Sequence, residues 1–236
     1  MMEEIKMYRN YEDILSVKLV SYTKPSEELF YHLIGNEVGD SLTNLIAYCA
    51  RVSNPSNQNN TETSEKLLNY LIKNKHFSPF EMVNVCLEIT STRDIVRQIL
   101  RHRSFSFQEF SQRYADPTKE LEFCIREPRL QDNKNRQNSI QTDDYNLANV
   151  WEQMQVEVIS LAKANYEYAI SQGIAKEVAR VMLPEGNTVS RCYMNGTIRS
   201  WIHYIEVRDG NGTQKEHMLV ARACAEAINK VFPYIK

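Results

Sequence analysis

Residues 101–114 read Arg-His-Arg-Ser-Phe-Ser-Phe-Gln-Glu-Phe-Ser-Gln-Arg-Tyr. They end a stretch, from Arg93 to Arg113, that holds five arginines and no lysine. A solvated surface would more often mix the two residue types, whereas arginine alone favours planar, bidentate binding of phosphate or carboxylate. Phe105 and Phe107 alternate with serines, which predicts extended chain directly after a helix. Cations and aromatic rings thus meet at a helix end, and together they suit a flat heterocycle that carries a phosphate.

The residues before this segment predict a strand followed by a helix. Apolar residues alternate strictly over 83–89, the pattern of a half-buried strand. Ser91 and Asp94 have the spacing of a capping box, and they predict the start of a helix whose apolar stripe lies at 95–100. Leucines and isoleucine at helical spacing predict a further helix over 63–74.

The residues after it predict further elements without regular βαβ alternation. In order, they are a polar surface excursion at about 126–146, a long helix at about 147–171, a short helix at 175–183 that Pro184 stops, a strand at 189–194 and a helix at 198–205. Thr213 and Glu216 have capping-box spacing and predict the start of the last helix. The pattern indicates an α+β fold with a mainly antiparallel sheet flanked by helices, in a single domain over residues 1–236.

Size and charge exclude several classes of protein. The chain has 236 residues, 42% of them hydrophobic, which suffices for one sizeable core. A formal net charge of −2 argues against a protein that coats nucleic acid through bulk charge. No apolar run approaches the roughly 18 residues of a membrane span, and the first residues, MMEEIKMYRNYED, do not resemble a signal peptide. We expect a protein without membrane or nucleic-acid partners.

Cysteine and glycine usage narrows the chemistry further. The five cysteines never form a CxxC pair, which argues against a disulfide framework or a common zinc site and fits the reducing cytoplasm. The seven glycines form neither GxGxxG nor GxxxxGK[ST], so a bound anion must be held by side chains. Two interpretations of residues 97–114 compete with a nucleotide site: a non-catalytic nucleotide- or RNA-binding surface, and a plain solvated charged helix.

The order of residues 101–114 resembles the RHRxxSxNxxSxRY-type signature of flavin-dependent thymidylate synthases. Further segments resemble the same family in the same order, namely residues 50–53 (ARVS), 75–81 (KHFSPFE), 177–184 (EVARVMLP) and 199–208 (RSWIHYIEVR). The resemblance covers about residues 40–232. Lys75 stands where the family has a glycine, so a different turn is expected there.

The resemblance implies an enzyme that methylates dUMP to dTMP. It implies 5,10-methylenetetrahydrofolate as the carbon donor, NADPH as the reductant and tightly bound FAD as the hydride carrier. It also implies a cytoplasmic homotetramer whose active sites lie between subunits, and it requires neither a metal nor a cysteine nucleophile. A family member that keeps FAD but has lost methyl transfer is a third possibility.

Site residues are carried over by position in the motifs. The resemblance implies that FAD is bound by Ser78, Arg101, His102, Arg103, Glu109, Thr197, Arg199 and His203. It implies that dUMP is bound by Gln98, Arg101, Glu109, Ser111, Arg113, Arg180 and Arg208.

Arg208 is the expected catalytic residue. Arginine keeps its proton, so it cannot act as a general base, but it can stabilise negative charge that develops on the uracil ring. One preorganised contact of this kind contributes about 3 to 4 kcal/mol to a transition state. Ser111 could be read as a nucleophile, but no activating base is evident in the sequence, and a nucleotide-binding hydroxyl is the better interpretation.

Overall fold

A computed structural model describes residues 8–33 and 41–235. The strands are β1 (Arg9–Asn10), β2 (Ser16–Tyr22), β3 (Asn84–Thr92), β4 (Ser106–Glu109), β5 (Cys124–Ile125), β6 (Arg129–Gln131), β7 (Ser139–Gln141) and β8 (Val189–Thr197). The helices are α1 (Tyr11–Ile14), α2 (Glu27–Leu33), α3 (Ser41–Ala50), α4 (Ser64–Lys73), α5 (Arg93–Ile99), α6 (Pro117–Glu120), α7 (Tyr145–Ser171), α8 (Lys176–Ala179), α9 (Ile198–Arg208) and α10 (Lys215–Asn229). Short 3₁₀ turns cover Pro55–Asn57, Ser78–Glu81 and Arg180–Met182.

The main sheet is antiparallel throughout and has the strand order β2-β3-β8-β4. The predicted alternation holds in β3, where Val85, Leu87 and Ile89 are fully buried and the residues between them are not. Helix α10 packs against β2 and β3, and α9 follows β8 directly. The predicted α+β fold with an antiparallel sheet flanked by helices is confirmed.

A second, smaller core forms under α7. One face of this helix buries Ile159, Tyr166 and Ala169 against Phe123 and Leu183. Asp144 caps the helix by accepting a hydrogen bond from the Leu147 amide, so it begins slightly before the predicted residue 147. The short helix also forms as predicted, as α8 and the 3₁₀ turn that ends before Pro184.

The polar segment at 126–146 is more structured than its composition indicates. It contains the hairpin of β6 and β7, whose residues are mostly exposed. Two of its three arginines, however, turn inward, since the side chains of Arg126 and Arg129 are only 16% and 13% exposed, whereas Arg136 is exposed. Arg126 pairs with Asp94, and Arg129 pairs with Glu216. The segment is therefore fastened to α5 and α10 by ion pairs.

Both predicted capping boxes are wrong. Ser91 lies inside β3, where its hydroxyl bonds Tyr11, and α5 begins one residue after Thr92, which makes no side-chain cap. The last helix begins after Gln214, also without a side-chain cap, and the carboxylate of Glu216 binds Arg129 instead. In both cases the polar group of the predicted capping box, the Ser91 hydroxyl or the Glu216 carboxylate, bonds a residue distant in sequence instead of the helix end.

Lys75 adopts the geometry that a glycine would favour. Its φ is 57°, in the left-handed region, at the end of α4. The turn expected to differ here therefore keeps a glycine-type conformation despite the lysine side chain. No helix in the described part of the chain is both long and apolar enough to cross a membrane.

Candidate active site

The arginine-rich segment is fixed by its phenylalanines. Helix α5 ends at Ile99, a turn follows, and Phe105 then packs edge-on against the buried Trp201, with 4.8 Å between ring centroids. The extended chain predicted at the phenylalanines is confirmed as β4, which pairs with β8. The backbone of β8 is close enough that a Cβ on Gly196 would lie 2.4 Å from the Phe105 ring. The aromatic side of the segment is therefore partly buried against the core, and its cationic side faces outward.

Arg101 and Arg103 stand on this outward side as exposed cations. Across residues 8–33 and 41–235, neither guanidinium makes a hydrogen bond or an ion pair. Arg126 and Arg129, by contrast, each bind a carboxylate. Arg101 and Arg103 keep all five of their N–H donors for an anion from outside the chain.

His102 and Arg208 form a directed pair. The Nε of Arg208 donates to Nε2 of His102 over 2.8 Å, so this ring nitrogen must lack a proton. Burial, with the nearby charge of Arg208, lowers the pKa of His102 to about 4. His102 is thus neutral at pH 7 and holds Arg208 by accepting its hydrogen bond. The Nη groups of Arg208 remain for another partner.

A buried polar network lies behind this pair. The ring of His102 packs edge-on against Tyr204, with 4.8 Å between centroids, and the Tyr204 hydroxyl lies 3.1 Å from Nε2 of His217. Nδ1 of His217 lies 3.2 Å from Oε1 of Gln98, whose amide nitrogen donates to Gln214. Sequence reasoning missed His217. The available signal was a histidine on the apolar face of α10, one turn before Val220.

The late flavin candidates meet at a separate cavity of about 620 Å³. Thr197, Arg199 and His203 line it, together with Phe77 and Ser104. Arg199 also pairs with Glu81. The hydroxyl of Thr197 caps α9 by accepting from the Ser200 amide, so this side chain has a structural partner of its own. Ser78 lies exposed beside this cavity's wall, directly after Phe77.

The phosphate-binding candidate Arg180 lies at another cavity, beside two arginines that sequence reasoning did not assign to the site. Arg93, Arg97 and Arg180 line a cavity of about 400 Å³ together with Glu177 and Glu185.

Two predicted nucleotide contacts already have partners around this cavity. Arg113 pairs with Glu177 over 3.1 Å. Glu109 accepts from Arg93 and from Ser190, at 3.2 Å each, which keeps its carboxylate half-buried. Ser111 accepts a long hydrogen bond, 3.4 Å, from the Arg113 amide.

Helix α5 presents one face to this cavity and another to the nucleotide candidate Gln98 and its partners. Arg93 and Arg97 are four residues apart on α5 and face the cavity that Arg180 lines. Gln98, the next residue, turns instead toward Gln214 and His217, beside the pair of His102 and Arg208. The chain brings Gln98 together with Arg208, and Arg113 together with Arg180, but it does not unite the two groups in one cavity.

Comparison with known proteins identifies relatives of this chain. A family model described as "Thymidylate synthase complementing protein" matches residues 37–234. The chain belongs to the flavin-dependent thymidylate synthase family. Similar relatives include the "Probable flavin-dependent thymidylate synthase" of Paramecium bursaria Chlorella virus 1, 47% identical over 221 residues that span 94% of this chain and 97% of that one. The flavin-dependent thymidylate synthase of a Synechocystis species matches with the same identity and coverage.

A solved structure supports the same placement. The chain is similar to the UMP/dUMP methylase PolB of Streptomyces cacaoi, bound with 5-Br dUMP, with a TM-score of 0.72 and 25% identity. The match covers 93% of this chain and 91% of that one. The predictions of a flavin enzyme and of a methyltransferase are confirmed by this family membership, and the non-catalytic alternative is not.

Proposed function

We propose that this flavin-dependent thymidylate synthase converts dUMP to dTMP with 5,10-methylenetetrahydrofolate as carbon donor and NADPH as reductant. The observation that carries the proposal is the pair formed by His102 and Arg208. It leaves a permanent cation whose orientation is fixed by a neutral ring and whose outer N–H groups pair with no carboxylate among residues 8–33 and 41–235. A cation held in this way can stabilise the negative charge that develops on a uracil ring during methylation.

In this mechanism Arg208 stabilises the uracil ring as it gains negative charge. Loss of the N3 proton to water leaves negative charge on the ring and makes C5 nucleophilic, and the guanidinium is aimed at this charge before the reaction begins. His102 contributes by accepting from Nε, since a protonated ring would have no lone pair at Nε2 and would repel the guanidinium. Neither residue removes a proton.

Arg113 and Arg180 bind the phosphate of dUMP in this proposal, with the Ser111 hydroxyl as a further donor. The phosphate itself carries close to two negative charges at pH 7, so it needs several bidentate donors. The cavity lined by Arg93, Arg97 and Arg180 supplies three guanidinium groups. The carboxylates that share it keep those groups oriented until the phosphate replaces them.

The residues present also fit a bound flavin. The exposed guanidiniums of Arg101 and Arg103 have donors free for a pyrophosphate, and the cavity lined by Thr197, Arg199 and His203 is mainly apolar around its polar groups. Ser78, His102 and Glu109 complete the proposed flavin contacts. FAD, when bound, supplies the hydride that completes the methyl group. The protein's part is to hold the flavin and the nucleotide together and to exclude water.

The proposed active unit is a homotetramer with shared active sites. Helix α7 carries outward apolar residues at alternating spacings of four and three: Leu147, Trp151, Met154, Val158, Leu161 and Tyr168. This heptad seam is unusual for a surface; Leu161, for example, is 64% exposed. Asn165 completes the seam, and a single polar residue at such a position selects register and the number of chains. A second copy of α7 is the occupant that fits it.

The division of the nucleotide residues agrees with such an assembly. Gln98 with Arg208, and Arg113 with Arg180, form two groups in one chain, so a neighbouring chain would bring the second group to the first. A cytoplasmic location accompanies the proposal, because the five cysteines are unpaired in the structure.

The function is tested with the purified full-length protein. We expect an oxidised-flavin absorption band and formation of dTMP from dUMP, with turnover lost when either methylenetetrahydrofolate or NADPH is left out. The gene should also relieve the thymidine requirement of bacteria that lack their own synthase. A flavin-containing protein that forms no dTMP under these conditions would have lost methyl transfer, and that result would overturn the proposal.

A further inference from the structure

A hydrogen-bonded chain leads from the polar hairpin to the candidate active site. Arg129 on β6 binds both carboxylate oxygens of Glu216, at 2.7 and 2.9 Å. The amide nitrogen of Gln214 donates to Oε2 of the same carboxylate over 2.9 Å. The Gln214 oxygen, in turn, accepts from the amide nitrogen of Gln98 over 2.8 Å. The bonds from Arg129 to Glu216 and from Gln98 to Gln214 join residues 87 and 116 positions apart, so only the folded chain brings these groups together.

The direction of each bond is imposed by the carboxylate. An ionised Glu216, held by Arg129, can only accept, so Gln214 must present its amide nitrogen to it. The Gln214 oxygen is then the atom left to face Gln98, which must use its own nitrogen to reach it. The Gln98 oxygen is consequently turned toward His217. The oxygen and nitrogen atoms of a side-chain amide are told apart by their hydrogen bonds, and here one ion pair decides the orientation of both amides.

His217 transmits the direction to Tyr204. Facing an acceptor oxygen, Nδ1 of His217 must carry the ring proton, which leaves Nε2 to accept from the Tyr204 hydroxyl over 3.1 Å. The side chains of His217 and Tyr204 are fully buried, and burial first, then the charge of Arg208, lowers the pKa of His217 to about 3. The ring is therefore neutral, with one donor and one acceptor, as the chain requires.

We propose that His217 is a positioning residue for the methylation of dUMP, which acts by fixing the amide of Gln98. A primary amide has two N–H donors and an oxygen with two lone pairs. The network takes one N–H and one lone pair, so Gln98 offers the nucleotide its second N–H and second lone pair in a fixed order. The hairpin of β6 and β7 sets that order through Arg129 and Glu216. The inference rests on the proposed place of Gln98 at the nucleotide.

Two substitutions of His217 separate its two bonds. His217→Asn places an amide near the position of Nδ1 and keeps the hydrogen bond to Gln98. His217→Gln places its amide near the position of Nε2 and keeps only the hydrogen bond to Tyr204. We expect His217→Gln to raise KM for dUMP by about tenfold or more, and His217→Asn to change it by less than about threefold. KM for the folate should be unchanged in both. Because both substitutions disturb the same buried place, their melting temperatures should fall together.

Gln214→Leu provides a second variant in case His217→Gln does not fold. Gln214 is only half-buried and makes no side-chain cap to α10, so its loss removes the link to Glu216 without removing a helix cap. It should raise KM for dUMP as His217→Gln does. Asn44→Ala, which removes a buried hydrogen bond to the Leu33 carbonyl elsewhere in the core, is the control and should leave KM for dUMP unchanged.

Gln98→Ala distinguishes failure of this inference from failure of the proposed site. We expect Gln98→Ala to raise KM for dUMP, and His217→Gln to have no further effect when added to it. If Gln98→Ala leaves that KM unchanged, the placement of Gln98 at the nucleotide is wrong. If Gln98→Ala raises it but His217→Gln and His217→Asn behave alike, the site stands and the positioning role of His217 is overturned.

Discussion

Mild acid should weaken the fold through His102 and His217. Both rings are neutral in the folded chain, with pKa values lowered to about 4 and about 3, against about 6.5 for an unfolded histidine. As the pH falls below 6.5, the unfolded chain takes up protons that the folded chain refuses. Stability is therefore complete above about pH 6.5 and is lost as the pH falls toward the folded pKa values.

The linkage relation sets the size of this loss. A histidine that the fold keeps neutral lowers the free energy of unfolding at pH 5 by about 2 kcal/mol relative to its value at neutral pH. The fully buried His217 should contribute about this amount, and His102, whose ring is partly accessible to solvent, should contribute less. Together they should lower the free energy of unfolding by about 3 kcal/mol between pH 7.5 and pH 5.

Urea unfolding at fixed protein concentration measures the effect. The wild type and His217→Asn are compared at pH 7.5, 6 and 5, with His76→Asn as the control because His76 is exposed. The decrease in the free energy of unfolding between pH 7.5 and pH 5 should be about 2 kcal/mol smaller in His217→Asn than in the wild type. In His76→Asn it should equal that of the wild type. An equal loss in His217→Asn and the wild type would refute the assignment of a neutral, buried His217.

Three further predictions concern the packing, the assembly and the flavin. Gly196→Ala would place a Cβ 2.4 Å from the Phe105 ring and should cost about 1 to 3 kcal/mol in urea unfolding, whereas Gly186→Ala, with nothing within 4 Å, should cost far less; equal costs would contradict the close approach. Leu161→Glu puts a charge in the α7 seam and should dissociate the proposed tetramer, which sedimentation velocity would show as a lower sedimentation coefficient than that of the wild type; an unchanged coefficient would contradict the role of the seam. Arg103→Ala should lower the FAD content of the purified protein at least about tenfold at equal flavin concentration, and unchanged content would remove Arg103 from the flavin site.

Local patterns in the sequence were sufficient for most of the fold. The alternation in β3 and the apolar stripes of α4 and α9 depend only on neighbouring residues, so they predict elements that the structure contains. The phenylalanines of β4 are a similar case. Such signals survive folding because burial of one face is the same requirement before and after the chain is assembled.

Signals that depend on polar groups were less reliable. Ser91 and Glu216 have the right spacing for capping boxes, yet each bonds a distant residue, Tyr11 and Arg129 respectively. His217 was missed for the same reason. Its partner Gln98 lies 119 residues away, and no local pattern shows that the two side chains meet. A polar side chain on an apolar helix face is visible in the sequence, but its partner is decided by tertiary structure.

The candidate site divides in the same way. The long motif at 101–114 was sufficient to identify the family. It was also sufficient to single out Arg101 and Arg103 as candidate site residues. The pairing of His102 with Arg208 joins residues 106 positions apart and had to come from the structure. The separation of Gln98 from the cavity that Arg180 lines was also hidden, because it depends on the two faces of α5.

The turnover number of Arg208→Ala tests the central claim most directly. The assay measures dTMP formation at saturating dUMP, folate and NADPH, on protein whose flavin content matches the wild type. Loss of a preorganised cation at the uracil ring should lower kcat by about 100-fold or more. Arg9→Ala, which removes an exposed arginine paired with Glu122, should retain wild-type turnover. If Arg208→Ala turns over as fast as Arg9→Ala, Arg208 does not stabilise the reacting ring and the account is contradicted.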